Sequence, residues 1–429
     1  MTSSWQARLD HLQAHGRLPS VVAGVLQGGE LVWVGGAGAV PGPDPSDVQY
    51  RIGSVTKTLV AVAVLRCRAD GLLDLDDPIG EVVPETGYAA ASVRDLLTHA
   101  SGMQSEPVGP WWERSPGVAT DALLAANDGS GAVAGPGEFF HYSNLGFALL
   151  GEAVARLRGG TWWDVVRAEL LVPLGMHRTS YLPEAPHAEG RSVGHFDGVL
   201  TAEPHQDTGA MSPAGQAWST VADLARWARF LAGGHPDVLD AASLREAGTP
   251  ALAPDYGLGL RVLDLGDRTM VGHTGSMPGF LASLFVEPGT GDGSVVLANA
   301  TTGLDTDGAP RALLGPGPDP VPEDPWVPTT DLPGEASDLL GLWFWGNTAF
   351  EARWNNGALH LHNLALAERE EVFVPERGAW RGTSGYHRGE RLEVHRRPDG
   401  TVGHLTCATF VYTRVPYDPE VEIPGGHPR

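Results

Sequence analysis

From Val55 to Asp70 the chain is apolar nearly all round the turn of a helix, and Gly71 closes the run. A helix with a single apolar stripe lies on a surface, whereas one that is apolar on every side must be enclosed by other layers. This segment is therefore expected to be the central helix of its domain. Strand patterns stand at both ends of the sequence around it. An opening helix over Ser3 to His15 leads into a β-hairpin, Val21 to Leu26 and Glu30 to Val34, about a Gly28-Gly29 turn. Strands return over Gly257 to Leu263, Arg268 to Gly272, Phe280 to Glu287 and Ser294 to Ala298. Between them lie helical segments over Ser92 to Thr98, Asn144 to Arg158, Thr161 to Leu170 and Thr220 to Ala232. Strands at both ends of a helical middle imply an α/β (α+β) fold, in which one sheet joins the two ends and helices pack on its faces.

At 429 residues the chain exceeds one ordinary domain, so a large domain plus a smaller one is expected. From Gly315 to Pro328 proline recurs every two or three residues, as in a stiff extended linker. Beyond it, from Leu332 to Val415, short alternating segments flank turn signals such as Asn355-Asn356-Gly357 and Arg397-Pro398-Asp399-Gly400. The expected division is a large domain over 1–314, a linker over 315–330, and a small all-β domain with a C-terminal tail over 331–429.

A formal charge of −23 argues against nucleic acid or an anionic membrane as the main partner. Met1 to Leu18 lacks the pattern of a secretory signal, and no stretch has the length of a membrane span, so a cytoplasmic location is expected. Cys67 and Cys407 lie in a buried helix and a strand, which makes a disulfide between them improbable. Oligomeric state is left open. Of the 29 basic residues all but Lys57 are arginine, a side chain that cannot act as a base.

That lysine follows Ser54 by three positions at the entrance of the buried helix. Residues three apart share a helix face, so the Ser54 hydroxyl and the Lys57 amine can point into one space. Burial lowers a lysine pKa, and a neutral amine there can accept the serine proton. Gly53-Ser54-Val55-Thr56-Lys57, Tyr142-Ser143-Asn144 and His273-Thr274-Gly275 resemble, in order and separation, the three motifs of the penicillin-recognising serine enzymes: S-x-x-K, Y-x-N or S-x-N, and K/H-T-G. The tyrosine of the second motif is similar to the branch of class C β-lactamases, D-Ala-D-Ala carboxypeptidases, D-aminopeptidases and β-lactamase-like esterases and acyltransferases. Leu96-Leu97-Thr98-His99-Ala100-Ser101-Gly102, Pro136 to His141, Pro173-Leu174-Gly175-Met176 and Pro213-Ala214-Gly215 resemble it too, and the likeness runs from Val21 to Asn299.

The resemblance implies a β-lactamase/transpeptidase-like antiparallel sheet flanked by helices, and a serine hydrolase in the large domain. It makes Ser54 the acylated nucleophile, Lys57 its partner in proton transfer and Tyr142 the phenol that activates Ser54 and shuttles a proton to the leaving group. Asn144 would hold Lys57 and the substrate. The N–H groups of Ser54 and Ser276 would form the oxyanion hole, with His273, Thr274, Gly275 and Ser276 lining the substrate. Whether Lys57 or Tyr142 is the base stays open. The third motif departs from the β-lactamases, which carry lysine where this chain has His273. A group largely neutral at pH 7 replaces a permanent cation, which favours esters, amides or D-amino-acid peptides over penicillins.

The implied reaction is hydrolysis of a small ester, amide or short peptide through a Ser54 acyl-enzyme. The alternatives are transfer of the acyl group to an amine or alcohol, weak β-lactamase activity, or a binding protein that acylates once and stops. No cofactor is expected. His360 and His362 alternate on a strand without a third ligand at a convincing spacing, so no metal is expected either. His99 reads as a structural loop residue. Trp111 and Trp112 fall where a loop over the site would lie, and fit a substrate wall or plain packing equally. Trp162, Trp163, Trp343 and Trp345 read as core.

Overall fold

The N-terminal hairpin and the strands before residue 300 meet in one six-stranded sheet of a computed structural model, which describes residues 2–322, 324–366 and 370–428. Met1, Glu323, 367–369 and Arg429, which fall within the segments assigned above, lie outside the described residues. The strands are β1 (Ser20–Gln27), β2 (Glu30–Gly38), β3 (Arg261–Asp264), β4 (Thr269–Met277), β5 (Phe280–Val286) and β6 (Gly293–Ala298). Their order is β2-β1-β6-β5-β4-β3, and every neighbouring pair is antiparallel. The two ends of the chain segment join where β1 pairs with β6, from Val21 opposite Ala298 to Leu26 opposite Gly293. Strands β5 and β6 are buried along their whole length, which is why they read as continuous apolar runs and not as alternation.

Helices α1 (Thr2–Gly16) and α4 (Val221–Gly233) pack against the sheet. Helix α2 (Thr56–Ala69) runs through the core against α3 (Asn144–Arg158), with Thr56 to Leu65 and Cys67 all buried. Gly71, at φ +70°, ends it as expected. Two expectations shift. The strand read from Gly257 begins only at Arg261, because Gly259 turns at φ +73° and its N–H bonds the Leu97 carbonyl at 2.9 Å. The helix read over Thr161 to Leu170 runs from Trp162 to Val166 and continues as a wider π-helical turn over Arg167–Leu171.

The chain divides into two compact units, one of 1–192 with 202–325 and one of 193–201 with 326–429. The second is a closed antiparallel barrel of eight strands, β7 (Gly341–Trp345) to β14 (Phe410–Thr413), each bonded to the next. Closure comes from β7 pairing with β14, Phe344 opposite Thr413. Alternation puts Trp343, Leu359, Leu361, Phe373, Leu392 and Leu405 inside, and closure leaves no free sheet edge. The segment 193–201 belongs to this unit through, for example, the Trp354 N–H bond to the Phe196 carbonyl at 2.7 Å. Trp343 is fully buried but Trp345, read as core, is 42% exposed at the strand end, where its ring stacks on Phe410 at 4.4 Å. Cys67 and Cys407 are both free and buried. Among the described residues no helix is long and apolar enough to cross a membrane.

Candidate active site

The chain leaves Ile52 through a tight 3-10 turn, Gly53–Val55, before α2 begins. Ser54 sits in that turn, one step ahead of the α-helix that the spacing alone would have extended back to it. Gly53 takes φ +52°, and a Cβ there would lie 2.6 Å from the Ser276 amide nitrogen. On the facing strand β4, a Cβ on Gly275 would lie 1.9 Å from the Ile52 carbonyl oxygen. Only glycine at both positions lets the turn press backbone to backbone on β4, beside the Ser276 amide. Ser276 itself is exposed.

Lys57 is fully buried, and its Nζ donates to Ser54 Oγ at 2.9 Å and to the Ala214 carbonyl at 2.6 Å. The carbonyl belongs to the turn Ser212–Ala214, which packs on α3. Burial pushes the amine down to about 7, against the opposing pull of the Glu106 and Glu113 carboxylates. Nζ stands 5.1 Å from the centre of the Tyr142 ring and 5.7 Å from that of Phe147. Burial raises the Tyr142 phenol above its ordinary range, opposed first by a hydrogen bond with Ser54. Serine, amine and phenol thus share one space.

Asn144, the first residue of α3, is buried, and its amide Nδ2 donates to Glu106 Oε1 at 2.7 Å. The other oxygen of Glu106 accepts from Trp112 Nε1 at 2.6 Å. Trp111 donates to Glu113 at 2.7 Å and is 60% exposed, whereas Trp112 is buried. Burial raises the Glu113 carboxyl. These two carboxylates, on the loop between the helix Val93–Leu97 and the second motif, border the candidate site and were not singled out in the sequence.

His273 is buried, its Nε2 3.0 Å from the Tyr256 hydroxyl and its Nδ1 2.5 Å from the Thr274 carbonyl. Burial first, then the charge of Lys57, brings its pKa down to about 3, so it offers no cation. A cation stands nearby nonetheless: Arg261 Nη1 donates to Thr274 Oγ1 at 3.1 Å and to Asp307 Oδ1 at 2.5 Å, while Nη2 reaches Asp307 Oδ2 at 3.2 Å. Arg261 pairs across the strands with Gly272, which sets its side chain beside the third motif.

Ser54, Tyr142, Arg261, Thr274 and Ser276 line a cavity of about 310 Å³, the size of a small-molecule site. A larger cleft of about 940 Å³, walled by Leu124, Ala148, Trp162, Trp163 and Tyr181, contains none of Ser54, Lys57 or Tyr142. Of the two, only the smaller is lined by Ser54 and Tyr142. Among the described residues one group of three metal-capable side chains comes together, His387, Glu390 and Cys407 in the barrel unit, and neither His360 nor His362 is part of it. His360 pairs with Glu370 at 3.1 Å.

A family model described as Beta-lactamase matches residues 5–315, and one described as Domain of unknown function (DUF7586) matches residues 332–414. Penicillin-binding protein 4 of Amycolatopsis lactamdurans is 29% identical over 348 residues, which is 72% of this chain and 89% of that protein. The chain spans about half the length of further curated relatives that it matches. The solved D-amino acid amidase of Ochrobactrum anthropi SV3, complexed with L-phenylalanine amide, superposes with a TM-score of 0.63 at 26% identity, over 73% of this chain and 94% of that one. The octameric penicillin-binding protein homologue of Pyrococcus abyssi shares the fold at 22% identity, with a TM-score of 0.66 over 96% of this chain and 99% of that one.

Proposed function

The chain belongs to the Beta-lactamase family of serine hydrolases, and from that premise we propose that it hydrolyses amides or short peptides of D-amino acids carrying a free amine, through an acyl-enzyme on Ser54. The observation that carries this reading is the fully buried Lys57 amine, 2.9 Å from Ser54 Oγ with a pKa near 7. Such an amine is neutral often enough at physiological pH to take a proton and charged often enough to return it.

In the first half-reaction Ser54 Oγ bonds to the substrate carbonyl carbon as its proton passes to the Lys57–Tyr142 pair. The carbonyl oxygen becomes an oxyanion facing the N–H groups of Ser54 and Ser276. The C–N bond then breaks, and the pair returns the proton to the departing amine. Water repeats the sequence on the ester and frees Ser54. Two observations support an amine-bearing substrate. Glu106 and Glu113 place negative charge within electrostatic reach of Lys57, and the Asp255 carboxylate lines the cavity itself, where an ammonium group finds a counter-charge. A solved neighbour, moreover, is an amidase of D-amino acids.

The test is a panel of D-phenylalanine amide, L-phenylalanine amide, N-acetyl-D-phenylalanine amide, D-phenylalanine methyl ester and benzylpenicillin. The D-amide and D-ester should turn over, with KM at least about tenfold higher for the N-acetylated compound. Preference for the L-amide, or indifference to acetylation, would contradict the reading.

A further inference from the structure

His99, Tyr256 and His273 form a buried chain that the proposed reaction does not use. The Ser143 N–H donates to His99 Nδ1 at 3.0 Å. His99 Nε2 lies 3.1 Å from the Tyr256 hydroxyl, which lies 3.0 Å from His273 Nε2, and His273 Nδ1 lies 2.5 Å from the Thr274 carbonyl oxygen. The two ends have fixed polarity, since a backbone N–H only donates and a carbonyl only accepts. His99 Nδ1 must then be bare, so its proton is on Nε2 and points at the Tyr256 oxygen. At the other end His273 carries its proton on Nδ1, so its Nε2 is bare and receives the Tyr256 O–H. Every proton has one place, and the arrangement closes only if both imidazoles are neutral.

We propose that His99 and Tyr256 are positioning residues that lock the second motif to the third. They hold Tyr142 in place and keep His273 uncharged in the Nδ1–H form. This rests on the reading of Ser54, Lys57 and Tyr142 as the reacting groups. Two further observations support it. The His99 ring lies 4.1 Å from that of Tyr142, centre to centre, while its Nδ1 takes the N–H of the very next residue, so one imidazole constrains Tyr142 from two directions. His99 is also held at φ +55°, a left-handed backbone that a non-glycine residue adopts at a cost, here with a fully buried side chain. The groups facing the chain are Lys57, Arg261 and His141, with Tyr142 and Asp255 beside Tyr256. Burial and the charge of Lys57 oppose protonation of either ring, and Arg261 adds to this at His273. Because protonating His273 would set an N–H against the Tyr256 O–H, the third motif keeps a neutral imidazole across the working range.

The test is histidine-selective ¹⁵N NMR of the full chain from pH 5 to 8, with Tyr256→Phe and His99→Ala alongside. Wild type should show His99 as the Nε2–H tautomer and His273 as the Nδ1–H tautomer, neither titrating. Tyr256→Phe removes the shared hydroxyl. It should move both Nε2 resonances, let His273 titrate, and lower kcat by about tenfold with KM changed by less than about threefold. Its kcat/KM should also gain a second protonation on the acid side. Opposite tautomers, titration of either ring in wild type, or a Tyr256→Phe enzyme with unmoved resonances and an unchanged pH profile would overturn the proposal. The wild-type spectrum decides even where a variant fails to fold. Because the spectrum needs no substrate, a failure of the acyl-enzyme reading would show separately, as activity retained by Ser54→Ala.

Discussion

Replacing Lys57 by arginine keeps a positive charge three residues after Ser54 while removing the ability to give up a proton. In the folded chain the amine has fallen from an ordinary value of 10.5 to about 7. That net shift, with the opposing pull of the Glu106 and Glu113 carboxylates already in it, corresponds to about 5 kcal/mol of bias against the ammonium form. About half of the enzyme therefore holds a neutral Lys57 at pH 7, and about a tenth at pH 6. If Lys57 belongs to the base, kcat/KM rises with pH up to about 7 with unit slope and then levels. A guanidinium in the same buried space, between the Ser54 hydroxyl and the Ala214 carbonyl, stays protonated throughout. The expected loss is about 10²- to 10⁴-fold in kcat/KM, the usual contribution of general acid–base catalysis, with no rise near pH 7. The assay is release of p-nitroaniline from a D-amino-acid p-nitroanilide between pH 5 and 9, with thermal melting to show that the variant is folded. A folded Lys57→Arg enzyme within about fivefold of wild type at pH 8 would refute the reasoning. So would a wild-type profile flat across that range.

Glu106→Gln removes an anion that holds the Lys57 proton on, so the midpoint of the acid limb should move to lower pH; the same pH–rate series reads it, and a move to higher pH counts against the assignment. Gly275→Ala puts a methyl 1.9 Å from the Ile52 carbonyl oxygen and must push the Ser54 turn off β4. Activity should fall about 100-fold or more while most of the fold survives, and unaltered kinetics would show that this backbone contact does not shape the oxyanion site.

Much of this arrangement was legible in the sequence because it is local. The i, i+3 spacing alone brings the Ser54 hydroxyl and the Lys57 amine together, and the all-round apolar run announces α2 as a core helix. The Gly28-Gly29 turn and the runs at Phe280 and Ser294 announce strands of the sheet. What stayed hidden depends on distant partners. Glu106 and Glu113 lie on an irregular loop with no periodicity to mark them, and they become site residues only where that loop folds over Asn144 and Lys57. Arg261 stands beside Thr274 because of the register between β3 and β4, which no local pattern encodes. The alternation after Leu332 marks strands, but closure into a barrel depends on Phe344 meeting Thr413 across the whole unit. His99 reads as a loop histidine until Tyr256, 157 positions later, is placed against its ring.

The claim from which the others follow is that Ser54 carries the acyl group. Intact-mass spectrometry of the full chain, acid-quenched within its first turnovers on D-phenylalanine methyl ester, tests it most directly. The predicted result is a species heavier by one phenylalanyl group, mapped by peptide digestion to Ser54 and lost in Ser54→Ala along with turnover. Full turnover by Ser54→Ala, or a stable adduct on any other residue, would contradict the account.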